Sequence, residues 1–277
     1  GVVLVGQAGG VFSGNVIAEN KCAGVGLKGS TAALFQDNQI RHNDGYGVWM
    51  QDDVRSTFQG NVIEHNQLAG ISVNHRAAPT VSHNTVKDGL QVGLLLQNDA
   101  GGTYSKNHVS GNVGANVLLM GASRSALVDN VISRSPGGGV LIRGRAHCKI
   151  VGNTIEGNSR ANLAVLDEAR PQAEGNTIQD GDGRGIVVTG TSRGEFSHNL
   201  VMGHGLAGMY VGGESDPKVE GNVICNSGAS GLVVEDNARG KFVGNCLAGN
   251  TCAAVAVQGR ASPYMAHNTV VHEGRGG

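Results

Sequence analysis

Asparagine recurs in this chain at one invariant interval. Asn15, Asn38, Asn61, Asn84, Asn107, Asn130, Asn153, Asn176, Asn199, Asn222, Asn245 and Asn268 stand 23 residues apart, with no insertion or deletion between them. A fixed period of this size marks stacked repeats, in which each unit contacts only its neighbours and cannot bury its apolar face alone. Because one register runs from end to end, equivalent residues form columns, each labelled by its offset from the repeat's asparagine.

Three segments of the repeat are persistently apolar. Offset two is aliphatic throughout, as in Ile17, Ile40, Ile63, Val86 and Val109. Offsets ten and twelve pair as Val48/Met50, Leu94/Leu96 and Val140/Ile142, and offset twenty carries Phe35, Phe58, Tyr104, Ile150 and Phe196. Short stretches with period-two alternation, separated by turn residues, therefore point inward three times per repeat. Helices of about ten or more residues do not fit between those turns. The expected fold is all-β: a right-handed parallel β-helix, a single-stranded solenoid of twelve coils with three short strands each. Right-handedness is the default for parallel crossover connections. Stacking would bring identical side chains to about 4.8 Å from each other, so the asparagines should form a structural ladder of amide hydrogen bonds inside one turn. Offset nine is mostly Gly, as in Gly24, Gly47, Gly70 and Gly139, with Asn116 and Asn162 as replacements. Both residue types tolerate positive φ, so this column reads as a left-handed turn position.

The 46 glycines among 277 residues are accounted for by those turns. A net charge of -1 and 4% aromatic content give no electrostatic case for nucleic acid. No apolar run reaches the roughly 18 residues of a membrane span. The chain reads as a single β-helix domain over 1–277. It is expected to be a fragment lacking its natural caps, because exposed end coils recruit other chains. The five cysteines form no framework. Cys225 and Cys246 lie on adjacent coils but are displaced by two residues, about 8 Å apart at Cα and beyond disulfide reach. An odd, unpaired set favours a reducing interior, hence a cytoplasmic or nuclear location.

From the third coil onward the repeats alternate. One type carries Pro at offset eighteen (Pro79, Pro171, Pro217, Pro263); the other often has Gly there with an aromatic two residues on, as in Gly102-Thr103-Tyr104, Gly194-Glu195-Phe196 and Gly240-Lys241-Phe242. This alternation, with N-x-I followed by a Gly-rich turn and G-[VIL]-x-[VIL], resembles the β-helix of eukaryotic F-box-only proteins. More loosely it is similar to the carbohydrate-binding and sugar-hydrolase class of β-helix repeats. The first resemblance implies a module that recognises protein substrates for a ubiquitin ligase; the chain contains no F-box and no zinc-binding finger.

Three groups of residues could carry function. Offset eleven points outward and presents Trp49, Leu95, Leu118, Leu141, Val187, Tyr210 and Val233. Contiguous apolar surface of this kind marks an interface, with a protein partner or with another copy of the chain. Offset seventeen supplies a basic stripe, Arg124, His147, Arg170 and Arg193, suited to acidic partners. The turn after the ridge stacks Asp52-Asp53, His75-Arg76 and Asn98-Asp99. A lyase or epimerase needs a base near an acidic sugar's C5 and a cation on its carboxylate, so Asp53, His75, Arg76 and Asp99 are the catalytic candidates. His42 and His65 stack beside Asp88, but two histidines without a third ligand do not make a metal site, and neither metal nor cofactor is expected. Gly203-His204-Gly205 and Asp52-Asp53 echo polygalacturonase-type motifs. Asp52 and His204 are nevertheless seven coils, about 34 Å, apart, too far to share one glycosidic bond.

The expectation drawn from these residues is a non-enzymatic recognition scaffold that docks a protein on its apolar outer sheet. The alternative is a polysaccharide-active or carbohydrate-binding β-helix of the lyase, epimerase or hydrolase class, acting on acidic glycans.

Overall fold

The computed structural model describes residues 1–271, which contain 36 strands and no helix. The strands form three parallel sheets, each of 12 strands. Sheet A gathers offsets ten to twelve, as in Leu94–Leu96; sheet B gathers nineteen to twenty-one, as in Thr103–Ser105; sheet C gathers one to three, as in Thr85–Lys87. Every strand pairs with its counterpart one repeat away, so Leu118 lies opposite Leu141 and Ile132 opposite Ile155. Alternation within each strand explains the inside and the outside. Offsets two, ten, twelve and twenty fill the tube, where Tyr104, Phe35, Phe58, Phe196 and Phe242 are fully buried. Phe12, Phe35 and Phe58 stack face to face with centroids 4.7 and 4.8 Å apart, one strand spacing per coil.

The asparagine ladder occupies the corner between sheets B and C. Asn107 donates from its backbone N–H and its Nδ2 to Oδ1 of Asn130, both at 2.9 Å. Nδ2 of Asn130 in turn donates to the Tyr104 carbonyl at 2.8 Å and to Oδ1 of Asn153 at 2.9 Å. The same paired donation repeats without a break from Asn15 to Asn268. These amides satisfy turn N–H groups that would otherwise be buried without partners.

A second amide column lies at offset five, in the corner between sheets C and A. Asn20, Asn43 and Asn66 are linked there by the same bonds. Unlike the first, it is interrupted: Gly89, Ser135, Gly181, His204 and Ser227 take asparagine's place. Where the next coil offers only Ser135 or Gly181, an asparagine from offset nine fills in. Asn112 donates to Asn116 at 2.9 Å and Asn158 to Asn162 at 2.8 Å.

That splice corrects the reading of offset nine. Neither its glycines nor Asn116 and Asn162 have positive φ. The left-handed positions are offsets four, fourteen and twenty-two, one per corner, as in His65, His75 and His83. Glycine is needed at offset nine for space. A Cβ on Gly139 would sit 2.4 Å from the Asn162 carbonyl and 2.9 Å from Nδ2 of Asn158.

Candidate functional site

The corner between sheets A and B, offsets thirteen to eighteen, carries a trough flanked by the first residue of sheet B. Three adjoining concavities compose it. The central one, about 480 Å³, is lined by His147, Arg170, Arg193, Asp216, Lys218 and Lys241 among others. A second of about 280 Å³ shares His147 and Arg170 and adds Arg124, Arg145 and Glu168. A third of about 410 Å³ shares Arg193 and Asp216 and adds Glu214 and Arg239. Together they follow six coils from Arg124 to Arg239, about 24 Å at strand spacing. The trough exists because offsets fifteen, seventeen and nineteen all point outward here, while Ala or Ser at offset sixteen (Ala146, Ala169, Ser192, Ser215) is buried beneath them.

Some of its charge is internally cancelled. Arg145 Nε lies 3.3 Å from Glu168 Oε2, and Lys218 Nζ donates to Glu195 Oε1 at 2.9 Å, a hydrogen bond that raises the lysine pKa. Arg124, Arg170, Arg193, Arg239 and Lys241 form no ion pair among the described residues. The basic stripe Arg124, His147, Arg170 and Arg193 therefore runs along the middle of the trough with cationic capacity to spare.

The four catalytic candidates lie on the same corner, on the three coils preceding Arg124. Arg76 grips Asp53 with both ends of its fork, Nε to Oδ1 at 3.0 Å and Nη2 to Oδ2 at 2.9 Å. That bond holds the Asp53 carboxyl below its usual pKa and occupies the guanidinium. His75 Nδ1 lies 3.4 Å from Asp52 Oδ1, both half-exposed, while Asp99 is exposed on the next coil. Further along, Arg143 meets Asp167 at 3.3 Å, and the Gly144 N–H donates to the same carboxylate at 2.9 Å. The backbone bond, more than the arginine, lowers the Asp167 pKa.

The apolar column of sheet A faces outward as expected. Leu95, Leu118, Leu141, Val187, Tyr210 and Val233 are half-buried, each covered partly by its neighbours in the column, and Ser72 between Trp49 and Leu95 is fully covered. Tyr210 is engaged on two sides. Its hydroxyl donates to Glu235 Oε1 at 2.6 Å, and the Arg184 guanidinium sits 4.5 Å from its ring centroid. Burial first, then Glu235, pushes the phenol up to about 12. His42 and His65 stack at 5.1 Å, and among the described residues no group of three His, Cys, Asp or Glu comes together as a metal site would require.

His204 is not on the surface. It fills an asparagine's place in the second amide column, 1% exposed, with Nδ1 accepting from the Gly181 N–H at 3.3 Å and Nε2 3.0 Å from the Ile178 carbonyl. Acceptance at Nδ1 makes Nε2 the protonated nitrogen of a neutral ring. Burial lowers its pKa below the ordinary 6.5. The unfolded chain then binds the proton more readily, so stability falls as pH drops below that ordinary value and continues to fall down to the depressed folded value. Thermal unfolding of the wild type should shift downward between about pH 7.5 and 5, more than that of His204→Asn, which restores the amide. Equal shifts in the two proteins would refute the assignment.

A family model described as right handed beta helix region matches residues 1–132 and 116–270. The chain belongs to the right-handed β-helix family. No curated protein sequence matches it. Among solved structures, this β-helix is similar to a mannuronan C-5 epimerase A-module from Azotobacter vinelandii, with a TM-score of 0.67 at 12% identity, covering 96% of this chain and 91% of that one. It is also similar to the catalytic unit of an α-1,3-glucanase from Streptomyces thermodiastaticus, with a TM-score of 0.58 at 14% identity, covering 92% of this chain and 63% of that one. At such identities the likeness is one of fold.

These neighbours correct the expectation of a non-enzymatic, protein-docking scaffold: both of these β-helices of similar shape come from polysaccharide-active enzymes. The expectation went wrong because an outward aliphatic column suits any rigid parallel sheet and is not diagnostic of a partner. The narrower resemblance to F-box-only proteins gains no support either, since N-x-I and Gly-rich turns are imposed by the coil itself.

Proposed function

We propose that this β-helix binds and acts on an acidic polysaccharide laid along the trough between sheets A and B. The observation that carries this reading is the row of uncancelled cations, Arg124, Arg170, Arg193 and Arg239, lining one continuous groove parallel to the stack. Coils about 4.8 Å apart offer sites at roughly the length of one sugar ring. Guanidinium groups suit carboxylate or sulfate oxygens because their donors are fixed in a planar fork. The Asp52–His75 pair sits at the upstream end of the same corner, where a carboxylate-oriented imidazole could move the proton at a uronate's C5. Asp53, locked to Arg76, then serves to hold that turn in place, with Asp99 exposed beside it. The acidic-polysaccharide neighbour of similar shape supports the same ligand class.

Arg170→Ala with Arg193→Ala should weaken binding of alginate or polygalacturonate at least tenfold at low salt, with unchanged circular dichroism and melting. Loss of two cations should also flatten the salt dependence of binding. In the same assay His75→Gln should abolish turnover while leaving binding intact. Undiminished binding by the double arginine variant would defeat the reading.

A further inference from the structure

The trough is not uniformly basic, and its one reversal has a definite place. Following offset seventeen down the groove gives Arg124, His147, Arg170, Arg193, then Asp216, then Arg239. The coil that carries Asp216 also presents Glu214 at offset fifteen, and both carboxylates line the groove. Neither forms an ion pair among the described residues. The one cation on this coil, Lys218, is taken by Glu195 of the preceding coil at 2.9 Å. The Asn199 coil is thus a net acidic step between a cationic step above (Arg193) and another below (Arg239, Lys241).

A glycan with a carboxylate on every sugar, lying along the stack, would set one of its charges against Asp216 and Glu214. Like charges a few ångströms apart at a wet surface cost on the order of 1 kcal/mol, about fivefold in affinity. A sugar without a charge has the opposite effect there. Its hydroxyls are hydrogen-bond donors, and two unoccupied carboxylates accept such bonds strongly. Resting on the acidic-glycan reading above, we propose that Asp216 and Glu214 are specificity-determining residues that select a glycan in which charged sugars are interrupted by uncharged ones. The cations read the acidic units on either side, and the two carboxylates read the free hydroxyls of the neutral unit between them.

The test compares oligosaccharides of equal length in the intact chain: an oligogalacturonate, charged on every ring, and a hyaluronan oligomer, in which uronate alternates with a neutral amide sugar. Wild-type protein should bind the alternating oligomer more tightly. Glu214→Gln with Asp216→Asn keeps the shapes and removes both charges. It should raise affinity for the oligogalacturonate about five- to tenfold, lower it for the alternating oligomer, and leave the melting temperature unchanged. An unaltered ratio between the two ligands in that variant would overturn the proposal while the acidic-glycan reading stood. Failure of wild type to bind either oligomer, or of Arg170→Ala with Arg193→Ala to weaken binding, would instead remove the reading on which it rests.

Discussion

Replacing Asn130 by Ala is expected to cost on the order of 3–6 kcal/mol, against about 1 kcal/mol or less for the same change at Asn15. The difference lies in what each deletion strands. Oδ1 of Asn130 is the acceptor for both the backbone N–H and Nδ2 of Asn107, and its Nδ2 serves the Tyr104 carbonyl and Oδ1 of Asn153. Asn130 is 2% exposed, so no solvent replaces those partners. Each stranded group carries a desolvation penalty of about 1–3 kcal/mol. Asn15 is exposed and water takes over its bonds. Chemical denaturation of the two variants measures the contrast directly; equal losses would mean that the amide column is decoration on a fold held by its apolar core alone.

Gly139→Ala should destabilise by about 3 kcal/mol, and Gly139→Asn by no less. The introduced Cβ meets the Asn162 carbonyl at 2.4 Å and Cγ2 of Ile155 at 2.6 Å, and the backbone of the next coil would have to move. If positive φ were the requirement, asparagine would be the better replacement. Gly26 is the internal control, because a Cβ there finds nothing nearer than Val3 Cγ2 at 3.8 Å, and Ala should be tolerated. The natural exceptions show how the column can be relieved: Asn116 and Asn162 occur where offset five of the following coil has shrunk to Ser135 or Gly181. Pairing Gly139→Asn with Asn158→Ser should therefore recover part of the loss. A fully additive double variant would contradict the steric explanation.

The period, the three strands, the inward columns and the first amide ladder were legible because each is a strict repetition of one residue class. The second ladder was overlooked because it is mixed, Asn alternating with Gly, Ser and a single His, and only contact between neighbouring coils shows that these residues do one job. His204 was legible as part of a motif and is instead a buried member of that ladder. The basic stripe was visible, but its character as a groove depends on offsets fifteen and nineteen flanking it, with Glu168 and Glu195 cancelling selected cations. Cancellation between coils leaves no trace in composition. The apolar ridge was equally visible and pointed the wrong way, since aliphatic residues satisfy a flat parallel sheet whatever lies above it.

Hydrogen bonds within all three sheets run parallel to the long axis, as do the amide columns at two of the three corners, whereas within a coil the chain itself is continuous. The tube is accordingly an anisotropic object: its cross-section resists deformation through covalent continuity, and its weakest planes lie between successive floors. Tension along the axis would part it floor by floor, each rupture exposing a fresh edge able to re-zip onto the same template.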